Sequence, residues 1–148
     1  VFARDGDLIP LSLLKTEQPV VHGVPVFSAQ TAREMRVMLE MAAGPEGTAP
    51  KARVPGYRVG GKTGTAHKLV GGAYANKYVS AFVGFAPVSD PRLIVAVMID
   101  EPSAGRHYGG EVAAPVFSQV MGASLRTLGI LPDAPVQVAD AAAGKGRL

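Results

Sequence analysis

Hydrophobic positions between residues 28 and 43 recur with the period of an α-helix, so the sequence predicts a helix over this range. Ser28 is a suitable N-cap, and Gly44-Pro45 would stop the helix at its other end. One stripe of the helix is apolar and is expected to face the core, and it consists of Met35, Met38, Leu39 and Ala42.

Three segments predict β-strands, over residues 57–68, 78–86 and 93–99. The second strand alternates in polarity, whereas the third is β-branched and apolar on both faces. Residues 87–91 form a short link rich in turn residues, which predicts an antiparallel hairpin between the last two strands. The longer link over residues 69–77 allows a hairpin with a longer loop between the first two strands.

A second helix is predicted from about Gly110 to Leu128, followed by a stop at Gly129. Pro115 lies near its first turn, where proline is tolerated. Between the first helix and the first strand, residues 44–55 contain three prolines and two glycines and are expected to be loop. The order helix, three antiparallel strands, helix predicts an α+β fold in which helices pack on an antiparallel sheet.

Composition narrows the chemistry. The 148 residues contain 18 Gly and 12 Pro, too many helix breakers for a helical bundle, and no Cys, which excludes disulfides and thiol catalysis. The net charge of +3 is scattered, so nucleic-acid binding is not expected. The three histidines lack metal-ligand spacing, and neither a metal nor a cofactor is expected; they are His22, His67 and His107.

Residues 56–63 match the phosphate-binding pattern G-x-x-x-x-G-K-T, and the apolar strand before Asp100-Glu101 looks like its magnesium-holding companion. A phosphate cradle, however, needs a helix that begins at the Lys-Thr pair. Here Gly64 follows that pair at once, and prolines precede the pattern where a buried strand would be required. An NTPase is therefore not the preferred interpretation, and a helix beginning at Lys62 would be needed to support it.

The tetrad Lys62-Thr63-Gly64-Thr65 can instead lie on an edge strand of an antiparallel sheet, and in this setting the chain resembles the penicillin-binding transpeptidases. In that superfamily the tetrad lies on the strand that walls the active site. The resemblance covers roughly residues 1–132. Within it, Asn76-Lys77-Tyr78 and residues 108–130 look most like the division-type (septal) enzyme of Gram-negative bacteria. Other stretches similar to the class B enzymes follow in family order, namely Thr48-Ala49-Pro50, Val54-Pro55-Gly56-Tyr57, Phe82-Val83-Gly84-Phe85-Ala86-Pro87, Tyr108-Gly109-Gly110 and Ala114-Pro115-Val116-Phe117.

The resemblance implies a serine acyl-enzyme formed with the D-Ala-D-Ala end of a peptidoglycan stem peptide, which an acceptor amine then resolves into a cross-link. Thr63 and Thr65 lie two apart on a strand, so both hydroxyls point the same way and can share the substrate carboxylate. Lys62 would supply positive potential. Strict alternation places it on the opposite face from Thr63, and local strand twist is expected to reconcile the two.

The resemblance also implies that the Thr65 N–H helps to bind the oxyanion. Gly64 would let the substrate backbone lie close to the strand. The resemblance implies that His107 and Tyr108 form an aromatic wall near the ligand side chain, with a plain surface loop as the alternative. His67 can either line the rim of the cleft or be an exposed strand end.

Two further motifs of the family's active site, the nucleophile motif S-x-x-K and the motif S-x-N, are not found in a suitable setting in this chain. The chain contains no S-x-N, and its only S-x-x-K, over residues 12–15, lies between prolines and reads as an extended surface segment rather than the start of a helix. The expected nucleophile is therefore not in this chain. Residues 1–131 are interpreted as the C-terminal part of a transpeptidase domain and residues 132–148 as a poorly packed tail, and the isolated chain is expected to be inactive.

The implied partners are the stem peptide, β-lactam antibiotics, the missing N-terminal half of the same domain and divisome membrane proteins. The implied location is the periplasmic side of the bacterial inner membrane, with an anchor outside this chain. An elongation-type enzyme, a carboxypeptidase, a β-lactam sensor and a non-catalytic interaction module of the same fold remain open alternatives. An S-x-x-K and an S-x-N upstream of Val1 would favour the enzymes over the interaction module.

Overall fold

The computed structural model describes residues 1–14 and 23–135 as an α+β arrangement, which confirms the predicted fold class. A three-stranded antiparallel sheet, in the order 60–70, 73–86 and 93–100, carries helices from both ends of the chain. The elements are β1 Asp7–Leu8, β2 Val24–Pro25, α1 Ala29–Ala43, β3 Gly60–Val70, β4 Ala73–Ala86, β5 Leu93–Asp100, α2 Gly109–Val112 and α3 Ala114–Thr127. Short 3-10 turns occupy Phe2–Arg4 and Pro50–Ala52.

The first long helix, α1, begins and ends where its sequence predicts. The Ser28 hydroxyl accepts a hydrogen bond from the Thr31 N–H at 3.1 Å, and the Gly44 N–H donates to the Met41 carbonyl at 3.1 Å. The predicted core stripe is only partly correct. Ala32 and Ala43 are the buried residues of the helix, whereas Met38 is 57% exposed.

The β3–β4 hairpin is tighter than the sequence suggested. Gly71 and Gly72 alone connect the strands, with φ of +60° and +85°, so β4 begins at Ala73 and the long-loop prediction is wrong. Two consecutive residues with positive φ match the twist of the strands and make a two-residue connection possible. At the other end, β3 begins at Gly60 rather than at residue 57, because the preceding residues form a tight turn closed by a Val54–Tyr57 bridge.

The sheet has an inner face that packs on α3 and an outer face that the described residues cover only in part. On the inner face Phe82 lies opposite Thr63 and Val97, and its ring meets the Phe117 ring edge-on at 4.7 Å between centroids. On the outer face three large apolar side chains are exposed, namely Val83, Ile94 and Met98. The apolar character predicted for both faces of β5 is therefore confirmed, with one face half-buried against the core and the other exposed.

The predicted C-terminal helix is broken near its start. α2 and α3 are separated at Ala113, because Pro115 has no N–H to donate to the Glu111 carbonyl one turn earlier. Gly129, with φ of +63°, ends the helix as expected.

Residues before β3 are attached to both α1 and the C-terminal segment. The Arg58 guanidinium binds both carboxylate oxygens of Glu40 at 2.7 and 2.6 Å, and this hydrogen bonding raises the pKa of Arg58. The Arg58 N–H donates to Asp133 at 2.7 Å, and the Tyr57 hydroxyl donates to the Ile130 carbonyl at 2.6 Å. These bonds hold the start of β3 from two sides. Within the described ranges, no helix has the length and apolarity to cross a membrane.

Candidate active site

The tetrad Lys62-Thr63-Gly64-Thr65 lies on β3, which is an edge strand of the sheet. Lys62 is inside this strand and no helix begins there, so the NTPase interpretation is excluded. The register places Thr63 opposite Phe82 and Thr65 opposite Ser80, and these pairs share the inner face. Both threonine side chains therefore leave the strand on the same side, as the sequence predicted.

Lys62 lies opposite Val83 and belongs to the outer face, so strict alternation is maintained. Its side chain nevertheless reaches Thr63, because the ammonium lies 3.1 Å from the Thr63 carbonyl oxygen and 3.2 Å from Thr63 Oγ1. The long side chain achieves this by bending around the free edge of β3. Strand twist was expected to bring these groups together, and the length of the lysine side chain does so instead.

The Thr65 hydroxyl is oriented by the loop that leads into α2. The Gly109 N–H donates to Thr65 Oγ1 at 3.1 Å, which occupies an acceptor position of that oxygen and leaves its hydrogen available to donate. Gly109 can approach so closely only because it lacks a side chain. A Cβ atom there would lie 2.2 Å from the Ala81 carbonyl oxygen and 2.7 Å from that of Gly64.

A third hydroxyl, that of Thr48, joins the two on β3. Thr63 Oγ1 donates to Thr48 Oγ1 at 3.3 Å, although the two residues belong to different segments. Thr48 follows α1, and no role was predicted for it from the sequence. Its place in the stretch Thr48-Ala49-Pro50, which resembles the class B enzymes, was the only available signal.

The predicted aromatic residues converge on one side of the hairpin, with Tyr78 between them. The His107 ring stacks on the Tyr78 ring at 3.9 Å between centroids, and the His67 ring lies 4.5 Å from the same Tyr78 ring. The Tyr108 ring lies 4.5 Å from the His107 ring. The buried Ser80 hydroxyl donates to the His107 carbonyl and holds this loop on β4. Tyr78 was missed as the centre of the row, and its place in the family-like stretch Asn76-Lys77-Tyr78 was the only available signal.

The far end of the hairpin carries a network of ion pairs. Lys68 contacts Asp100 at 2.9 Å and Glu101 at 2.7 Å, and Lys77 contacts Glu101 at 3.0 Å. The hydrogen bond from Lys68, followed by that from Lys77, lowers the pKa of Glu101. The bonds to Asp100 and then Glu101 raise the pKa of Lys68. The network therefore fixes the start of the loop that delivers His107 and Tyr108.

Ser12 is not part of this site. It lies in an exposed, non-helical segment, and its hydroxyl donates to the Leu14 carbonyl at 2.9 Å. Lys15 and His22 lie outside the described residues. Among residues 1–14 and 23–135, no group of His, Asp and Glu side chains has the arrangement of a metal site.

An antiparallel edge strand that presents an ammonium group and two threonine hydroxyls offers donors of the kind that carboxylate groups accept, beside a free strand edge. Comparison with known proteins identifies the family to which the chain belongs. Residues 1–122 match the family described as the penicillin binding protein transpeptidase domain, and the chain belongs to this family. Its relatives place it with the class B proteins, and it is similar to their septal members.

Two relatives and one solved structure illustrate the similarity. The chain is 49% identical over 137 residues to PenA of Neisseria gonorrhoeae, named a probable peptidoglycan D,D-transpeptidase, covering 92% of this chain and 23% of that protein. It is 47% identical over 126 residues to the peptidoglycan D,D-transpeptidase FtsI of Escherichia coli strain K12, covering 84% of this chain and 21% of that protein. The apo transpeptidase domain of Burkholderia pseudomallei penicillin-binding protein 3 superimposes with a TM-score of 0.82 at 52% identity, covering 90% of this chain and 41% of that one.

The chain thus spans about a quarter of the length of the curated relatives that it matches.

Proposed function

We propose that this chain is the substrate-binding part of a peptidoglycan D,D-transpeptidase that cross-links stem peptides through a serine acyl-enzyme and is acylated by β-lactams. The observation that carries this proposal is the pair of hydroxyls of Thr63 and Thr65 on one face of a free strand edge, with the Lys62 ammonium bonded to the Thr63 hydroxyl. A carboxylate-ended peptide needs such donors and such a charge. Relatives at nearly 50% identity carry D,D-transpeptidase names.

Each residue of the tetrad has a distinct role in this proposal. The Thr65 hydroxyl donates to the substrate carboxylate while the Gly109 N–H holds its oxygen, and the Thr65 N–H contributes to the oxyanion hole. Thr63 assists at the carboxylate. Gly64 has no side chain to obstruct an extended peptide that adds to the strand edge. Lys62 supplies positive potential, which also disfavours protonation of a nearby lysine that activates the nucleophile.

The row formed by His67, Tyr78, His107 and Tyr108 is proposed to contact the side chain of the stem peptide or β-lactam. Tyr108 is 61% exposed, so its ring is available for such a contact. Tyr78 and His107 are stacked and partly buried, which provides a rigid base for the row. Large flat rings give contact area at little cost in conformational entropy.

The nucleophile and the second motif are proposed to come from another part of the same protein. The outer face of the sheet is the surface suited to receive it, because exposed Val83 and Ile94 adjoin Lys62 there in a shallow groove that Phe2 and Leu39 also line. Residues 1–131 would then be the C-terminal part of the domain, followed by a tail over residues 132–148. The proposed location is the periplasmic side of the inner membrane, with divisome membrane proteins as further partners.

The test is covalent labelling by a fluorescent penicillin. The full-length protein that contains this chain is expected to be labelled at a serine outside residues 1–148, and a Ser12→Ala variant is expected to label at the parent rate. The chain alone is expected to remain unlabelled. Labelling of the isolated chain that disappears on Ser12→Ala would contradict the assignment of the nucleophile. A full-length protein that takes up no label would contradict the enzymatic proposal and favour a non-catalytic module.

A further inference from the structure

Three donors follow one another across the free edge of β3. The Lys62 ammonium donates to Thr63 Oγ1 at 3.2 Å, and the Thr63 hydroxyl donates in turn to Thr48 Oγ1 at 3.3 Å. A hydroxyl has a single hydrogen, so the Thr63 hydroxyl cannot donate to another group while it donates to Thr48. The Thr48 hydroxyl is the last group in this series of hydrogen bonds, and its own hydrogen is not used within it. Successive hydrogen bonds polarise one another, and the positive charge at Lys62 makes this terminal hydroxyl a stronger donor.

The backbone around Thr48 is held firmly, although its side chain is exposed. Ala49 is fully buried, and its N–H donates to the Ala42 carbonyl at 3.1 Å. Gly47 packs on the end of α1, where a Cβ atom would lie 2.3 Å from the Ala42 carbonyl oxygen. Gly110 packs on the Thr48 carbonyl, because a Cβ atom there would lie 2.1 Å from that oxygen. Contacts from three sides therefore fix the position from which the Thr48 hydroxyl points.

The first two residues of α2 contact both Thr65 and Thr48. Gly109 donates to Thr65, and its neighbour Gly110 packs against the backbone of Thr48. The Thr63 hydroxyl bonds to that of Thr48, and the hydroxyls of Thr65 and Thr48 both retain a hydrogen that the described part of the chain does not use. Two available donors, one of them linked through Thr63 to the Lys62 ammonium, match in number the two oxygens of a carboxylate.

We propose that Thr48 is a further ligand-binding residue, whose hydroxyl donates to the carboxylate of the stem peptide or β-lactam together with Thr65. This role rests on the proposed transpeptidase function. It assigns Thr63 mainly to relaying polarisation from Lys62 to Thr48. It also makes the segment after α1, and not β3 alone, a wall of the carboxylate site.

The experiment measures the second-order rate of acylation of the full-length protein by benzylpenicillin and, separately, by its methyl ester in competition with a fluorescent penicillin. Thr48→Val retains the shape of the side chain and removes the hydroxyl. It is expected to slow acylation by the free acid about tenfold, the effect of losing one hydrogen bond to a charged group. Acylation by the ester, which lacks the carboxylate charge, is expected to change little. Thr48→Ser, which restores a hydroxyl, is expected to recover most of the rate.

Thr127→Val is the matched control, because Thr127 is an exposed threonine at the end of α3, away from the tetrad strand. It is expected to acylate at the parent rate with both compounds. A Thr48→Val protein that retains the parent rate with the free acid would overturn the role of Thr48 alone. Equal losses with acid and ester would also overturn it, since that pattern indicates a structural role. A parent protein that neither compound acylates would overturn the proposed function itself, and this role with it.

Discussion

At the scale of single residues, the site depends on which atom of each threonine is already occupied. The Thr65 oxygen accepts the Gly109 N–H, so its hydrogen is available to a ligand. The Thr63 hydrogen points to Thr48 in this structure. Two chemically identical side chains on one strand face therefore contribute differently, and the difference comes from their neighbours in other segments.

Thr65→Val tests the proposed donor at residue 65. In the full-length protein this change retains the shape and the backbone N–H but removes the hydroxyl, which is proposed to make one charge-assisted hydrogen bond to the ligand, worth roughly 1.5–3 kcal/mol. Acylation by a β-lactam is expected to slow about ten- to a hundredfold. The second-order acylation rate is measured beside the melting temperature, with Thr127→Val as the control. An unchanged rate in Thr65→Val would show that the hydroxyl does not bind the ligand.

At the scale of elements, the long β3–β4 hairpin is held to β5 by charges at its far end. Lys68 on β3 binds Asp100 and Glu101 at the end of β5, and Lys77 on β4 binds Glu101. The Glu101 N–H also donates to the Tyr78 carbonyl at 2.9 Å. Because Glu101 begins the loop that carries His107 and Tyr108, these bonds determine where the aromatic row starts.

Glu101→Gln is expected to show how this network depends on pH. The lysines lower the pKa of Glu101 below its ordinary value of 4.5. A carboxylate with a lowered folded-state pKa stabilises the protein above its unfolded pKa, and this contribution is lost as pH falls through the folded pKa. The variant is therefore expected to melt slightly below the parent at pH 7, and the gap is expected to close as pH falls below 4.5.

Salt provides the control for this prediction, because the charges are exposed and screening weakens them. The gap in melting temperature at pH 7 is expected to narrow at high ionic strength. A gap that persists unchanged at acidic pH would indicate that Glu101 acts through its backbone conformation or packing rather than through its charge.

At the scale of the whole molecule, the two faces of the sheet differ in what covers them. The inner face packs on α3 through a core that includes Phe82, Phe117 and Met121, all fully buried. On the outer face Ile94 is 65% exposed and Met98 is 71% exposed. Since this chain matches only part of each longer relative, the outer face is proposed to pack against the rest of the transpeptidase domain.

Ile94→Asp tests that packing in the full-length protein. If the rest of the domain covers Ile94, the substitution removes apolar burial and places a carboxylate in an apolar contact, and together these are expected to cost at least about 2 kcal/mol. The melting temperature should fall clearly below that of the parent. Leu131→Asp is the control, because Leu131 is 82% exposed and lies beyond α3. Equal melting of the two variants would contradict the packing proposal.

The sequence by itself determined the features that depend on local periodicity. The capped helix α1, the three strands and the Lys-Thr-Gly-Thr edge strand were predictable because side-chain direction repeats every 3.6 residues in a helix and every two in a strand. The same rule correctly placed Thr63 and Thr65 together. Family resemblance added the proposed roles of the site residues, and the match over residues 1–122 confirmed the family membership.

Only the tertiary structure decided which groups meet across distant parts of the chain. Thr48 lies 15 residues from Thr63, and Gly109 lies 44 residues from Thr65. The Tyr78 ring lies between His67 and His107, and the sequence pattern contained no indication that these two histidines are neighbours of one ring. Local periodicity describes the direction of a side chain relative to its own element, and it contains no distance between elements. The bend of Lys62 around the strand edge has the same origin, since a long flexible side chain takes its final direction from the partners it finds.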